Sequence, residues 1–146
     1  MNQRVSSLVI SQNRSLLVAA CDDSVKVYSN NGSSFNEDQS ISYPNMGWKT
    51  LSLTEDSSHL VVSNYEHHIV DVYTNNLNQF TLTLSRNQTL YPFYSSLSKN
   101  KEFLLVSAGS GSYIYDLENS TPVQKLFGSW FHSWSNSQFV VLGNEK

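Results

Sequence analysis

Four stretches of the 146-residue chain carry residue types that could do chemistry. His67-His68 offers two imidazoles, the commonest metal ligands. Neighbouring residues on an extended chain point to opposite faces, so the pair cannot chelate one ion and reads as a solvated turn. Asp22-Asp23 could supply paired carboxylates for acid and base work. Side by side between two apolar runs, they read instead as a turn whose side chains bond back to the backbone. Gly109-Ser110-Gly111-Ser112 has the glycines of a phosphate cradle, but no helical pattern follows it, and the stretch reads as a hairpin turn. Serine is abundant, yet no Gly-x-Ser-x-Gly elbow is present. The single cysteine, Cys21, excludes an intrachain disulfide and a cysteine zinc site. It is expected to be a small buried residue at a strand end, in a reducing, cytoplasmic compartment. The chain is therefore expected to be no enzyme and to hold neither metal nor cofactor.

The elements that carry these residues are strands. Leu16 to Ala20 is a short apolar run bounded by turns, as in a strand buried on both faces. Val5 to Ser11 before it and Val25 to Tyr28 after it alternate. Ser29 to Gln39, rich in Asn, Gly and Ser, is expected to be the longest surface loop, with at most a short outer strand from Ser40 to Tyr43. The plan then repeats. Leu17, Val61 and Leu105 lie 44 residues apart, Ile10, Leu53 and Leu97 lie 43 and 44 apart, and Tyr28, Tyr73 and Tyr115 lie 45 and 42 apart. A period in that range marks an architecture in which each unit buries its faces against its neighbours. The units run approximately 5–43, 44–86, 87–128 and an incomplete 129–146, each full one with four strands. In the last, Phe139 to Gly143 echoes Phe103 to Ser107.

Composition narrows the class of partner. The formal charge is −3, with nine Lys and Arg scattered singly. No basic stripe exists for nucleic acid or for an anionic membrane, so neither is expected as a partner. An apolar fraction of 39% supports one cored domain. No apolar run approaches the ~18 residues of a membrane span.

The units resemble the WD-repeat β-propeller family, whose blade is a four-stranded meander with an Asp-containing turn and a third strand ending in Trp-Asp. The unit from Leu8 to Ser29 matches best. Asp22 or Asp23 stands at the turn and Tyr28-Ser29 at the Trp-Asp position, followed in later units by Tyr73-Thr74 and Tyr115-Asp116. No Trp-Asp or Gly-His pair is present to build the hydrogen-bonded network that usually ties a blade of the family together. The expected fold is all-β: about three and a half four-stranded antiparallel blades of a β-propeller, with a β-trefoil as the alternative. Three and a half blades cannot close a ring, which typically needs four to eight. Further blades, from the parent chain or from a second chain, are expected to complete it.

In such a meander, the turn between second and third strands lies at the same end as the link into the next unit. One face therefore gathers Asp22 and Asp23; Tyr43, Met46 and Trp48; Tyr65, Glu66 and His67; Tyr91 and Phe93; and Trp130 with Phe131. Aromatic rings beside a few polar groups are the composition of interface hot spots. Trp48, Tyr65, His67, Tyr91 and Trp130 are the expected partner-binding residues, with Asp22 and Asp23 holding a turn. The resemblance implies a non-catalytic protein-protein interaction scaffold that docks a protein or peptide on this loop face. The alternatives are a carbohydrate-binding module of trefoil type, with Trp48, Tyr91 or Trp130 stacked on sugar rings, and third, a propeller enzyme such as a lactonase.

Overall fold

The computed structural model describes residues 3–43, 47–88, 91–109, 111–119, 121–126 and the strands at 131–136 and 139–143. Fourteen strands occur among them. The first sheet is β1 (Val5–Ile10), β2 (Leu16–Cys21), β3 (Ser24–Asn30) and β4 (Phe35–Ser42). The second is β5 (Lys49–Leu53), β6 (His59–Asn64), β7 (Ile69–Asn76) and β8 (Gln79–Asn87). The third is β9 (Pro92–Leu97), β10 (Phe103–Ala108), β11 (Gly111–Asp116) and β12 (Gln124–Leu126). A two-stranded sheet of β13 (Phe131–Asn136) and β14 (Phe139–Gly143) follows.

Every sheet is a meander in chain order with antiparallel neighbours. A trefoil needs strands of different units to pair in one barrel, whereas each sheet here is built within its own unit. That removes the trefoil alternative and, with it, the trefoil-based sugar module. The first strands lie side by side, β1 beside β5, β5 beside β9, and β9 beside β13. They are stitched by side chains: Ser7 Oγ accepts from Leu51 N at 3.2 Å, Ser6 Oγ donates to Lys49 O at 2.8 Å, and Thr50 Oγ1 donates to Phe93 O at 2.7 Å. On the outer strands, the Gln39 amide pairs with both Phe80 N and Phe80 O, at 2.7 and 2.8 Å.

Two apolar layers fill the spaces between sheets. Leu16, Val18, Val25 and Val27 meet Leu60, Val62 and Tyr73 between the first and second sheets, while Val61, Val70 and Val72 meet Leu104, Val106 and Tyr115 between the second and third. Consecutive residues on β6 thus serve opposite layers, as the two-residue period of a strand requires. This corrects one repeat alignment. Leu17 pairs with Tyr28, Leu60 with Tyr73, and Leu104 with Tyr115, so Leu17 corresponds to Leu60 and Leu104 rather than to Val61 and Leu105. A one-residue slip exchanges the faces of a strand.

The outer strand of the first sheet is a second correction. Residues expected to form the long loop are largely strand, because β4 runs from Phe35 and pairs with the full length of β3. Its Asn36, Glu37 and Asp38 are exposed, so an outer strand with one wet face and one free edge lacks the apolar signature of a strand.

A local device recurs in the first hairpin of each of the three four-stranded sheets. Ser11, Thr54 and Ser98 each accept, through the side-chain hydroxyl, from the backbone N–H that opens the second strand: Leu16 at 2.9 Å, His59 at 2.9 Å and Phe103 at 3.1 Å. Three residues after each hydroxyl stands one in the left-handed region, Arg14, Ser57 and Lys101, with φ of 58°, 58° and 63°. Asn13, Asp56 or Asn100 closes the turn by accepting from the hydroxyl itself.

Candidate interaction face

Asp22-Asp23 forms a two-residue turn between β2 and β3, and its backbone is tied to the link that follows the first sheet. Tyr43 N donates to Asp23 O at 2.7 Å, and Gly47 N to Asp22 O at 3.3 Å. Ser24 Oγ and Gln3 Nε2 donate to Asp23 Oδ1 at 3.0 and 2.8 Å. In the next unit, Tyr65 N donates to Trp48 O at 3.0 Å and Gln88 N to His68 O at 2.5 Å. These bonds put the second-to-third-strand turns and the inter-sheet links at one end of the sheets.

Two features build that end. The first is a cavity of about 410 Å³ lined by Arg4, Ser6, Asp22, Gly47, Trp48 and Glu66. Beneath it Lys49 is 0% exposed, yet its ammonium is fully satisfied: Nζ donates to the carbonyls of Cys21, Asp22 and Gly47 at 3.1, 2.7 and 3.0 Å. Burial pulls its pKa below the ordinary lysine value, opposed by the charges of Asp22 and Glu66. Glu66 accepts from Trp48 N at 2.5 Å, and a β-carbon at Gly47 would stand 2.6 Å from its Oε2, so a larger residue there would displace the carboxylate.

The second feature is a row of rings across the second and third sheets. Tyr65 is at the centre, with ring centroids 6.4 Å from Trp48, 4.8 Å from Tyr91 and 5.2 Å from Phe93. His68 meets the edge of Tyr91 at 4.1 Å. Trp48 and Tyr91 remain 49% and 48% exposed.

Of the residues expected to bind a partner, the fold brings Trp48, Tyr65 and Tyr91 together. His67 is half-buried and donates its backbone N–H to Asn64 Oδ1 at 3.3 Å, and the imidazole that joins the rings is that of its neighbour His68. The turn reverses direction there, with His68 at φ 55°, which strand alternation does not anticipate. Trp130 and Met46 lie outside the described residues. Tyr43 is buried instead: its hydroxyl donates to Asp71 Oδ2 at 2.9 Å and stands 2.7 Å from Tyr73 OH. Burial, then the charge of Asp71, raises its pKa far above the ordinary tyrosine range, and burial pushes Tyr73 up to about 12.

A tyrosine contact of this kind recurs between consecutive sheets. The tyrosine late in the third strand of one sheet reaches back to the residues that leave the preceding sheet. Tyr73 meets Tyr43, and Tyr115 OH donates to Gln88 Oε1 at 2.9 Å. Among the described residues no group of three or more His, Cys, Asp or Glu side chains could hold a metal.

No protein-family pattern matches the chain, and no curated protein does. Solved structures do. A Bacteroides uniformis protein named as a candidate 6-phosphogluconolactonase superposes with a TM-score of 0.77 at 11% identity, over 98% of this chain and 48% of its own. The β-propeller domain of Cps50 (Swd1) from Myceliophteria thermophila gives 0.70 at 16%, over 88% and 45%. Kluyveromyces lactis Hsv2 gives 0.70 at 14%, over 98% and 42%. At these identities the likeness shows the fold, and the chain is part of a β-propeller. It spans less than half the length of each of these proteins.

Proposed function

We propose that the chain is part of a WD-repeat-like, non-catalytic scaffold that docks a protein or peptide on its loop face. The observation that carries this reading is the row of rings from Trp48 through Tyr65 to Tyr91, half-exposed at both ends and bedded on Phe93 and His68. Rings already fixed by their neighbours lose little entropy when a partner covers them, which is what makes rigid aromatics effective anchors. The cavity beside Trp48, with Asp22, Glu66 and Arg4 at its walls, supplies polar groups for orientation. A cytoplasmic, reducing setting is part of this reading, on the ground that a single cysteine forms no intrachain disulfide.

The same reading includes further blades as partners. Ile10, Leu17 and Tyr28 form a cross-strand row in the first sheet, and the equivalent rows are Leu53, Leu60, Tyr73 and Leu97, Leu104, Tyr115. In the later rows the central Leu and the Tyr are buried under the preceding sheet, whereas Ile10 is 53% exposed. A preceding blade laid on the first row completes the pattern.

Photo-crosslinking tests the docking reading. A crosslinking side chain placed at position 48 or 91 of the intact protein should capture a defined partner. The same group at Leu77, 92% exposed in the turn between β7 and β8, should not. Equal capture from all three positions removes the assignment, and turnover of 6-phosphogluconolactone by the purified protein removes the non-catalytic one.

A further inference from the structure

The loop-face cavity of about 410 Å³ and the ring row share one residue, Trp48, whose indole is half-exposed. The two acids of the cavity are fixed by backbone N–H groups of its own lining. Glu66 accepts from Trp48 N at 2.5 Å, and Asp22 Oδ2 accepts from Arg4 N at 3.4 Å. Both carboxylates are therefore placed at the wall by contacts with residues that line it.

Neither acid has a counter-ion. The ion pairs among the described residues are Lys26–Glu37, Lys99–Glu55 and Lys101–Asp56, and the last two join first hairpins at the opposite end of the sheets. Arg4 also lines the cavity, but it is exposed, forms no ion pair, and meets Asp22 through its backbone N–H. Lys49 lies beneath with its donors taken by three carbonyls, and the charges of Asp22, Glu66 and Asp23 all reach its ammonium. Three carboxylates thus stand against two cations, and this corner keeps one net negative charge. A negative corner beside an open indole suits a guanidinium. Its plane stacks on a ring while its N–H fork meets carboxylate oxygens, and an ammonium, as a hydrated point charge, uses the flat surface less well. The volume is in the range that ligand groups occupy.

We infer that this corner receives an arginine side chain of the docked segment, its guanidinium against Trp48 and paired with Glu66 and Asp22. The assignment rests on the docking reading and adds to it the chemistry of the partner: a basic segment whose arginine enters beside the rings.

The peptide acetyl-Gly-Arg-Gly amide is the probe, and the Trp48 indole N–H is the reporter. Tryptophans stand at positions 48, 130 and 134, so the spectrum of Trp48→Phe assigns the signal. Titrating the intact protein with the peptide should shift that signal saturably. The same peptide with citrulline, which keeps the shape of arginine without its charge, should leave it unmoved. Glu66→Gln keeps the size of the side chain and an acceptor for Trp48 N, and should weaken binding of the arginine peptide roughly two- to fivefold. Arg4→Gln, at an exposed position outside the strands, removes a like charge and should tighten binding by a similar factor. A Trp48 signal that ignores the arginine peptide, or follows the citrulline peptide equally, overturns the site, as does unchanged affinity in both variants. Capture of a partner from position 48 or 91 alongside a silent arginine titration removes the arginine and leaves the docking face in place.

Discussion

Lys49 shows how a single residue can be placed by backbone carbonyls alone. Its three ammonium hydrogens meet the carbonyls of Cys21, Asp22 and Gly47, which joins the turn of the first sheet to the link and to the first strand of the second. Replacing it by methionine keeps most of the stem and removes all three donors. Lys49→Met should lower stability by about 2–4 kcal/mol, measured by urea denaturation, because buried acceptors lose partners that water cannot easily replace. Nothing in the sequence marks this lysine as buried, since lysine is ordinarily a surface residue and its neighbours Trp48 and Thr50 give it no apolar context. Aromatic identity was legible, by contrast: Trp48, Tyr65 and Tyr91 could be placed at one end from strand order alone. Which histidine joins them was not, because one left-handed residue in the turn decides it.

At the scale of the element, the hairpin between first and second strands repeats with the same bonds in the three four-stranded sheets. A hydroxyl at Ser11, Thr54 or Ser98 caps the incoming N–H, and the residue three places on turns left-handed. Thr54→Val preserves shape and removes the hydroxyl, so the His59 N–H loses a bond from its partly buried site. A loss of about 1 kcal/mol in chemical denaturation is expected. The repeat of inner strands was legible because apolar runs between polar turns recur at a constant spacing. β4 was not legible, because an outer strand with a wet face carries Asn, Glu, Asp and Gln where inner strands carry Val and Leu. Register was half legible: the Tyr and Ile spacings lead to the correct row, while the leucine run offers two alignments one residue apart, and only the cross-strand pairing selects between them.

The whole molecule is held by its inter-sheet contacts, and those contacts have a pH dependence. Tyr43 and Tyr73 are both raised above the ordinary tyrosine pKa, Tyr73 to about 12. A raised value means that the folded state keeps the proton more tightly than the unfolded one. Their contribution is complete below pH 10 and falls as pH rises above it, that of Tyr73 being lost by about pH 12 and that of Tyr43 continuing to fall beyond. Thermal melts should show a falling midpoint across that window, shallower in Tyr73→Phe. The first sheet gives the other global prediction. Val5, Leu8 and Ile10 are exposed on an uncovered face, so residues 1–146 alone should self-associate in sedimentation velocity, and Ile10→Lys should reduce that association. The tyrosine contacts also have a direction. Tyr73 closes on Tyr43, and Tyr115 on Gln88, each time onto a residue that precedes it in the chain. During synthesis, every such closure therefore finds its acceptor already outside the ribosome, and each blade can lock as its third strand emerges, without waiting for later sequence. Nascent chains arrested once Asn76, and then Leu117, have cleared the ribosome should accordingly gain protease resistance in discrete steps, one blade interface at a time.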